Sequence, residues 1–356
     1  MKNTIKYRTK SKVLVTALTV AVAVLLGACG ANDTANNGAN GAGKTKDASP
    51  SPQTEQTPSK AITVKIGTVP ALSPQNVAKD KGFVEEEFAK LGAKAEWTAF
   101  QTGPEIFEAI AGNHLDFGQT GNIPVLSAQV NKVPFKQISV SGDGKTNNNI
   151  IVPKGSEAKS ISDLKGKKIA VAKGSVPYNV LVRAIEVAGL KITDFTIVQV
   201  LPAEARPAFE AGQVDAWAIW EPFVSTQVIK NGARVLVSGE DLGLINPNFN
   251  VVHSEFAEEH PELVTAYLKA LERARIWQEE NQEETVQIYV KQMKLDEEVL
   301  KAVVAKIKPL NSLITDEIIE AQRNTAAKLH ELGVLKELVD PAQAADNRYL
   351  EEALKK

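Results

Sequence analysis

The chain has 356 residues, 43% of them hydrophobic and 24% charged, with a formal net charge of −2. A single cysteine rules out an internal disulfide, and four scattered histidines (His114, His253, His260, His330) without a second thiol give no spacing for a metal. The near-neutral, slightly acidic balance argues against nucleic acid, whose phosphates are held by accumulated Lys and Arg.

Five basic residues (Lys2, Lys6, Arg8, Lys10, Lys12) precede an apolar run from Val13 to Leu26, and Gly27-Ala28-Cys29 follow. Basic segment, apolar core and small residues before a cleavage point make a secretory signal. The run is too short for a bilayer span of about 20 residues, which argues against an uncleaved anchor. Leu26-Gly27-Ala28-Cys29 resembles the lipobox of bacterial lipoproteins. That resemblance implies removal of residues 1–28, acylation of Cys29, and a lipid-anchored chain on the extracytoplasmic side of the cell membrane. Of the 41 Lys and Arg, the five in the signal would be lost, leaving 36 against 43 Asp and Glu, a net of −7. Residues 29–60, from Ala31 onward, are Asn, Gly, Ala, Ser, Thr, Pro and Gln with scattered charge and no apolar period, the composition of a flexible linker.

From residue 61 onward, strand and helix patterns alternate. A strand over 62–68 is followed by a helix over 75–90 that stops at Gly92, and by a strand over 94–99. Thr102 and Glu105 have the spacing of a capping box at the next helix. Then come a strand at 115–119, a helix from Ile123 and strands at 135–140 and 149–153. After them follow a strand at 167–172, a helix over 177–188, a strand at 195–200, a helix over 203–211 and a strand at 214–219. A helix from Pro222 and a strand at 233–238 complete the alternating part. From Pro261 the pattern is wholly helical, and such a tail is expected to pack outside the first lobe.

Strands separated by single helices predict parallel sheets covered on both faces, here two of about five strands. The fold class is α/β: two lobes, each a mainly parallel sheet flanked by helices, with a helical C-terminal tail. Two turn-rich runs, 141–149 and 239–250, look like lobe boundaries. They place lobe 1 at 61–147 and 249–356 and lobe 2 at 148–248, with a hinge near 141–150 and 240–252.

In such sheets a ligand sits beyond the carboxyl ends of the strands, where helix N-termini converge. Thr102-Gly103, Thr120-Gly121-Asn122 and Gly174-Ser175 are such points. There glycine admits close backbone approach, and unpaired first-turn amides suit a compact anion. Each is also an ordinary cap when taken alone. Trp220, at a strand end, is placed to cover an apolar substituent, and Trp217, mid-strand, to pack in the core. Tyr178 and Asn179 lie just past the Gly174-Ser175 turn, and Glu221 precedes a helix that starts with Pro222. Arg206, in a helix first turn where its charge opposes the dipole, is a candidate for the cleft or an interlobe ion pair; Arg183, a turn deeper in its helix, reads as structural. By themselves these residues specify a two-lobed α/β binder or enzyme for a small anion.

Several stretches resemble the aliphatic sulfonate-binding lipoproteins of ABC importers, within a wider superfamily binding taurine, nitrate and thiamine precursors. They are Phe100 to Glu105, Asp116 to Pro124, Asp163 to Ile169, Lys173-Gly174-Ser175 and Gly212 to Pro222, spanning most of 61–260. The resemblance implies a type II periplasmic-binding-protein (Venus flytrap) fold, with no cofactor and no catalysis. It further implies a monomer that closes on an organosulfonate and delivers it to a permease and its ATPase. The anion grip maps to Thr102, Gly103, Thr120, Gly121 and Ser175. Ser73, Asn122, Tyr178, Asn179, Trp220 and Glu221 complete the candidate ligand-binding set. Three features depart from the family pattern: Asn122 in place of a common Asp, Val176-Pro177-Tyr178 in place of a Ser-rich run with a His, and the loop Thr68 to Pro74. They bear on the ligand's tail more than on its head group. The alternatives are taurine, nitrate or a pyrimidine thiamine precursor in the same architecture, with Glu221 or Asp215 receiving an ammonium group. More distant is an exported enzyme, for which the chain shows no nucleophile turn, phosphate loop or cysteine cluster.

Overall fold

A computed structural model describes residues 61–355. The signal, Cys29 and the linker to residue 60 lie outside the described residues. Among these, ten strands form two five-stranded sheets. The first part of the chain runs β1 (Ile62–Thr68), α1 (Pro74–Lys81), α2 (Phe83–Ala89), β2 (Ala93–Ala99), α3 (Gly103–Ala111), β3 (Phe117–Gly121), α4 (Asn122–Val130) and β4 (Phe135–Gly142). The middle part is β5 (Asn148–Val152), β6 (Lys168–Val171), α5 (Val176–Val187), β7 (Thr196–Gln199), α6 (Pro202–Glu210), β8 (Ala216–Trp220), α7 (Phe223–Asn231) and β9 (Arg234–Ser238). The chain ends with β10 (Asn248–His253), α8 (Ser254–Glu259), α9 (Pro261–Glu280), α10 (Gln282–Met293), α11 (Glu297–Val304), α12 (Asp316–Glu331) and α13 (Arg348–Ala353).

The helix expected over 75–90 is two helices. Gly82 adopts φ 71°, a left-handed cap that ends α1 and opens α2, so the chain turns there rather than at Gly92 alone. A second difference is β10, which sequence reading left inside a turn-rich break. It lies in the interior of the first sheet, in the order β2-β1-β3-β10-β4. Its Asn250 is buried and donates to Ser139 Oγ at 2.8 Å, a pairing that makes a polar residue compatible with that position.

The sheets are mixed rather than purely parallel. The second has the order β7-β6-β8-β5-β9, and β5 is antiparallel to both its neighbours, as β10 is in the first. The reason is topological. The segments 143–147 and 239–247 carry the chain from one sheet to the other, from the carboxyl ends of β4 and β9. A strand entering from that end must run against the others. Each sheet therefore has four strands pointing toward the crossing segments and one pointing away.

Apolar side chains cover both faces of each sheet. On one face of the first sheet, Phe117 stacks on Tyr267 of α9 at 4.3 Å between ring centroids, within a cluster that also takes in α1, α2, α10 and α11. Burying each such large side chain stabilises the fold by about 1.5–3 kcal/mol. The helical tail is not confined to the outside of the first lobe. Ala326 and Leu329 of α12 join Ile123 and Leu126 of α4 and Val180 and Leu181 of α5 in one cluster with the second sheet. An amphipathic helix packs wherever its apolar stripe is covered, and for α12 that surface is shared by both lobes. Among the described residues no helix is long and apolar enough to cross a membrane.

Candidate functional site

Four helix N-termini meet at a cleft of about 230 Å³ between the two sheets. Their N-cap residues, Ser73 (α1), Thr102 (α3), Gly121 (α4) and Ser175 (α5), all line it. None of the four gives its own helix a side-chain cap bond. Pro74, Pro104, Pro124 and Pro177 supply no N–H, and the Asn76 and Tyr178 amides donate to the Ser73 and Ser175 carbonyls at 3.1 Å. The donors left toward the cleft are the other first-turn amides, such as those of Gly103, Asn122 and Val176; each helix adds roughly half a positive charge there. The capping box expected at α3 does not form. Glu105 Oε2 accepts from the Gln101 amide at 2.8 Å instead, one residue before the cap, so the Thr102 hydroxyl is not engaged with its own helix.

Of the predicted residues, Ser73, Thr102, Gly103, Thr120, Gly121, Ser175, Trp220 and Glu221 line this cleft. Two buried hydroxyls in its wall, Thr120 Oγ1 and Ser141 Oγ, have no hydrogen-bond partner among the described residues. A buried hydroxyl without a partner costs about 1–3 kcal/mol, so both are set to bond a ligand. The hydroxyls of Ser73 and Ser175 are otherwise engaged: the first donates to Asn76 Oδ1 at 3.0 Å and the second to the Ala172 carbonyl at 2.6 Å. What those residues retain for a ligand is mainly backbone at a helix start.

Glycine matters at two places for space rather than for dihedral freedom. Gly121 has φ −89°, open to any residue, yet a Cβ there would overlap the Val176 Cγ2 methyl of the opposing lobe. A Cβ on Gly103 would overlap Thr120 Oγ1. The two lobes thus touch at Gly121 and Val176 with no room for a methyl group.

Three predicted residues fall outside the cleft lining. Asn122 is fully buried and donates to Thr325 Oγ1 of α12 at 3.3 Å. Asn179 donates to Asn246 Oδ1 at 2.7 Å, tying α5 to a crossing segment. Tyr178 packs in the apolar cluster of the second sheet, and burial pushes its phenol above the ordinary range. Each sits in a helix first turn beside the site, but its side chain turns inward to satisfy the core. Arg206 also proves peripheral, pairing along its helix with Glu210 at 3.0 Å; Arg183 pairs likewise with Glu186 at 2.8 Å. Asp215 accepts from the Lys168 amide at 2.9 Å just before β8 begins, the end away from the cleft, and so is no ammonium site.

Sequence reading missed Ser141, Asn248 and three lysines of the lining, Lys145, Lys306 and Lys308. Ser141 and Asn248 flank the crossing segments and belong to no motif. Lys306 and Lys308 follow α11, in a tail whose periodicity reported only helix, and nothing local marks them as cleft residues. Val69, Leu72, Val176, Trp220 and Ile307 add apolar surface to the same cleft. Trp220 meets Phe223 edge-on at 5.9 Å between centroids, whereas Trp217, as expected, is core, against Phe209 and Phe223.

Glu221 spans the divide between the lobes. Its side chain is only 1% exposed; Oε2 accepts from the Ser225 amide at 2.9 Å, and Oε1 accepts from Ser225 Oγ at 2.9 Å and from Lys306 Nζ at 3.4 Å. Nearby, Lys230 of α7 pairs with Asp296, just before α11, at 2.7 Å.

This cleft combines backbone amides, unpartnered hydroxyls and an apolar wall. A family model described as NMT1-like matches residues 57–292. A Bacillus subtilis (strain 168) relative bearing the name aliphatic sulfonates-binding protein is 40% identical over 335 residues, covering 94% of this chain and 95% of its own. An Escherichia coli (strain K12) relative of the same name is 32% identical, over 75% of this chain and 83% of its own. The solved alkanesulfonate-binding protein from Xanthomonas axonopodis pv. citri, bound to MOPS, superposes with a TM-score of 0.77 at 30% identity, covering 81% of this chain and 99% of that one. By the extent of these matches the chain belongs to the NMT1-like family and, within it, to the group of the aliphatic sulfonate-binding proteins.

Proposed function

We propose that this protein is the substrate-binding component of an ABC importer, capturing aliphatic sulfonates outside the cytoplasmic membrane and handing them to a permease and its ATPase. The observation that carries this reading is the convergence of four helix N-termini without side-chain caps and two unpartnered hydroxyls on one cleft. A sulfonate remains ionised at any biological pH, so fixed amide and hydroxyl donors hold it without proton control. The grip is assigned to Thr102, Gly103, Thr120, Gly121 and Ser175, with Ser141 as a further hydroxyl donor and Trp220 covering the alkyl tail. The relatives named for binding sulfonates support the same ligand class. The protein acts as a monomeric receptor rather than an enzyme, tethered by lipid on Cys29, and leaves its ligand unaltered.

Calorimetric titration with alkanesulfonates, taurine and nitrate tests the ligand class. Saturable 1:1 binding of alkanesulfonates, stronger than that of nitrate, is the expected result, and heats indistinguishable from dilution for every sulfonate would overturn the reading. The crossing segments 143–147 and 239–247 serve as the hinge on which the lobes close. Small-angle scattering is expected to report a smaller radius of gyration on saturation with a bound sulfonate; an unchanged curve would remove closure from the mechanism.

A further inference from the structure

We propose that Lys306 is a built-in cation occupying the ammonium position of the cleft, and that it makes the receptor discriminate against sulfonates carrying a positively charged group. The inference rests on the sulfonate reading and deepens it. Glu221 is the one buried carboxylate among the lining residues. The other two acidic residues there differ: Asp143 is half-buried with Oδ1 accepting from the Lys145 amide at 3.0 Å, and Glu240 is exposed. A desolvated carboxylate in a binding cleft attracts a ligand ammonium strongly and repels a bare sulfonate. Here its charge is already matched, because Lys306 Nζ lies 3.4 Å from Glu221 Oε1 and 3.2 Å from Ser225 Oγ.

Lys306 is held for this task by its backbone. It follows α11, between Val303 and Ile307, and these two residues pack with the apolar cluster of the first sheet. Its carbonyl accepts from Thr146 Oγ1 of a crossing segment at 3.5 Å. Glu221, in contrast, stands at the end of β8 in the second sheet, so the pair joins the lobes across the cleft. Lys306 is among the residues that line the cleft, and its side chain is 49% exposed. A ligand ammonium seeking Glu221 must therefore displace a tethered competitor of the same charge, at the high effective concentration that tethering confers. A sulfonate with an uncharged tail meets no such competitor, and finds a neutralised wall instead of an anionic one.

The test compares Lys306→Ala, the double variant Glu221→Gln with Lys306→Ala, and the unaltered protein. Calorimetry gives the affinity ratio of ethanesulfonate to taurine, which differ by one amino group. In Lys306→Ala the ratio is expected to move at least 10-fold toward taurine, and in the double variant to return to within about threefold of the starting value. An unchanged ratio in Lys306→Ala, with both ligands still bound, overturns the proposal. A second readout needs no sulfonate. Lys306→Ala should melt lower than the unaltered protein, and millimolar ethylammonium chloride should restore part of that loss, with no such effect on the unaltered protein or the double variant. Equal responses of all three proteins to ethylammonium overturn the proposal even if sulfonates fail to bind. Failure of the unaltered protein to bind any sulfonate, with ethylammonium rescue intact, would instead overturn the ligand class and leave the cation position standing.

Discussion

Gly121→Ala is expected to raise the dissociation constant for alkanesulfonates by about 5- to 150-fold, the result of an overpacking cost of about 1–3 kcal/mol. The added Cβ would overlap the Val176 methyl of the opposite lobe, while the backbone at φ −89° accepts alanine without strain. Within its own sheet the Cβ would meet Asn248 Oδ1 at 3.2 Å, a smaller crowding than that against Val176, so most of the penalty is expected to fall on the approach of the lobes rather than on folding. Val176→Ala in the same chain removes the opposing methyl and should recover most of the affinity, a coupling that two independent sites would not show. Titration of the four proteins in this cycle supplies the measurement. Additive losses would mean that the contact at Gly121 does not limit closure. Melting temperatures of the single variant within a few degrees of the unaltered protein would locate the effect in binding.

Trp220→Ala is expected to weaken hexanesulfonate by about 1–3 kcal/mol and methanesulfonate by far less, because apolar contact grows with tail length. Trp220 lines the cleft, with its ring edge-on to Phe223. A part of its packing therefore belongs to the fold, and a lower melting temperature is expected alongside. The chain-length dependence separates the two roles. A stability loss alone weakens every ligand equally, whereas a lost tail contact produces a slope in affinity against carbon number. Equal losses for the two sulfonates would remove Trp220 from the tail site.

Local patterns were enough to read the alternating elements, the two five-stranded sheets and the clustering of Thr102, Gly103, Thr120, Gly121 and Ser175 at strand ends. Apolar periodicity, glycine stops and Pro near helix starts act over a few residues, and they appear in the sequence at the place where they act. The interior strand β10 escaped because Asn248 and Asn250 interrupt its apolar character, and the burial of Asn250 is made tolerable by Ser139 on another strand. Asn122, Tyr178 and Asn179 stand in the first turns of α4 and α5, outside the cleft lining. Which way their side chains turn is settled by α12, Asn246 and the apolar cluster of the second sheet, all distant in sequence.

By itself the sequence determined the α/β alternation, the family, the helix starts that line the cleft and the tryptophan at its wall. Only the tertiary structure decided that Glu221 is matched by Lys306, 85 residues later in the chain, and that Gly121 is small because Val176 stands opposite. The physical reason is one of range. Secondary structure and capping are written in neighbours, whereas charge pairing and steric fit across a cleft depend on what long-range packing brings within a few ångströms.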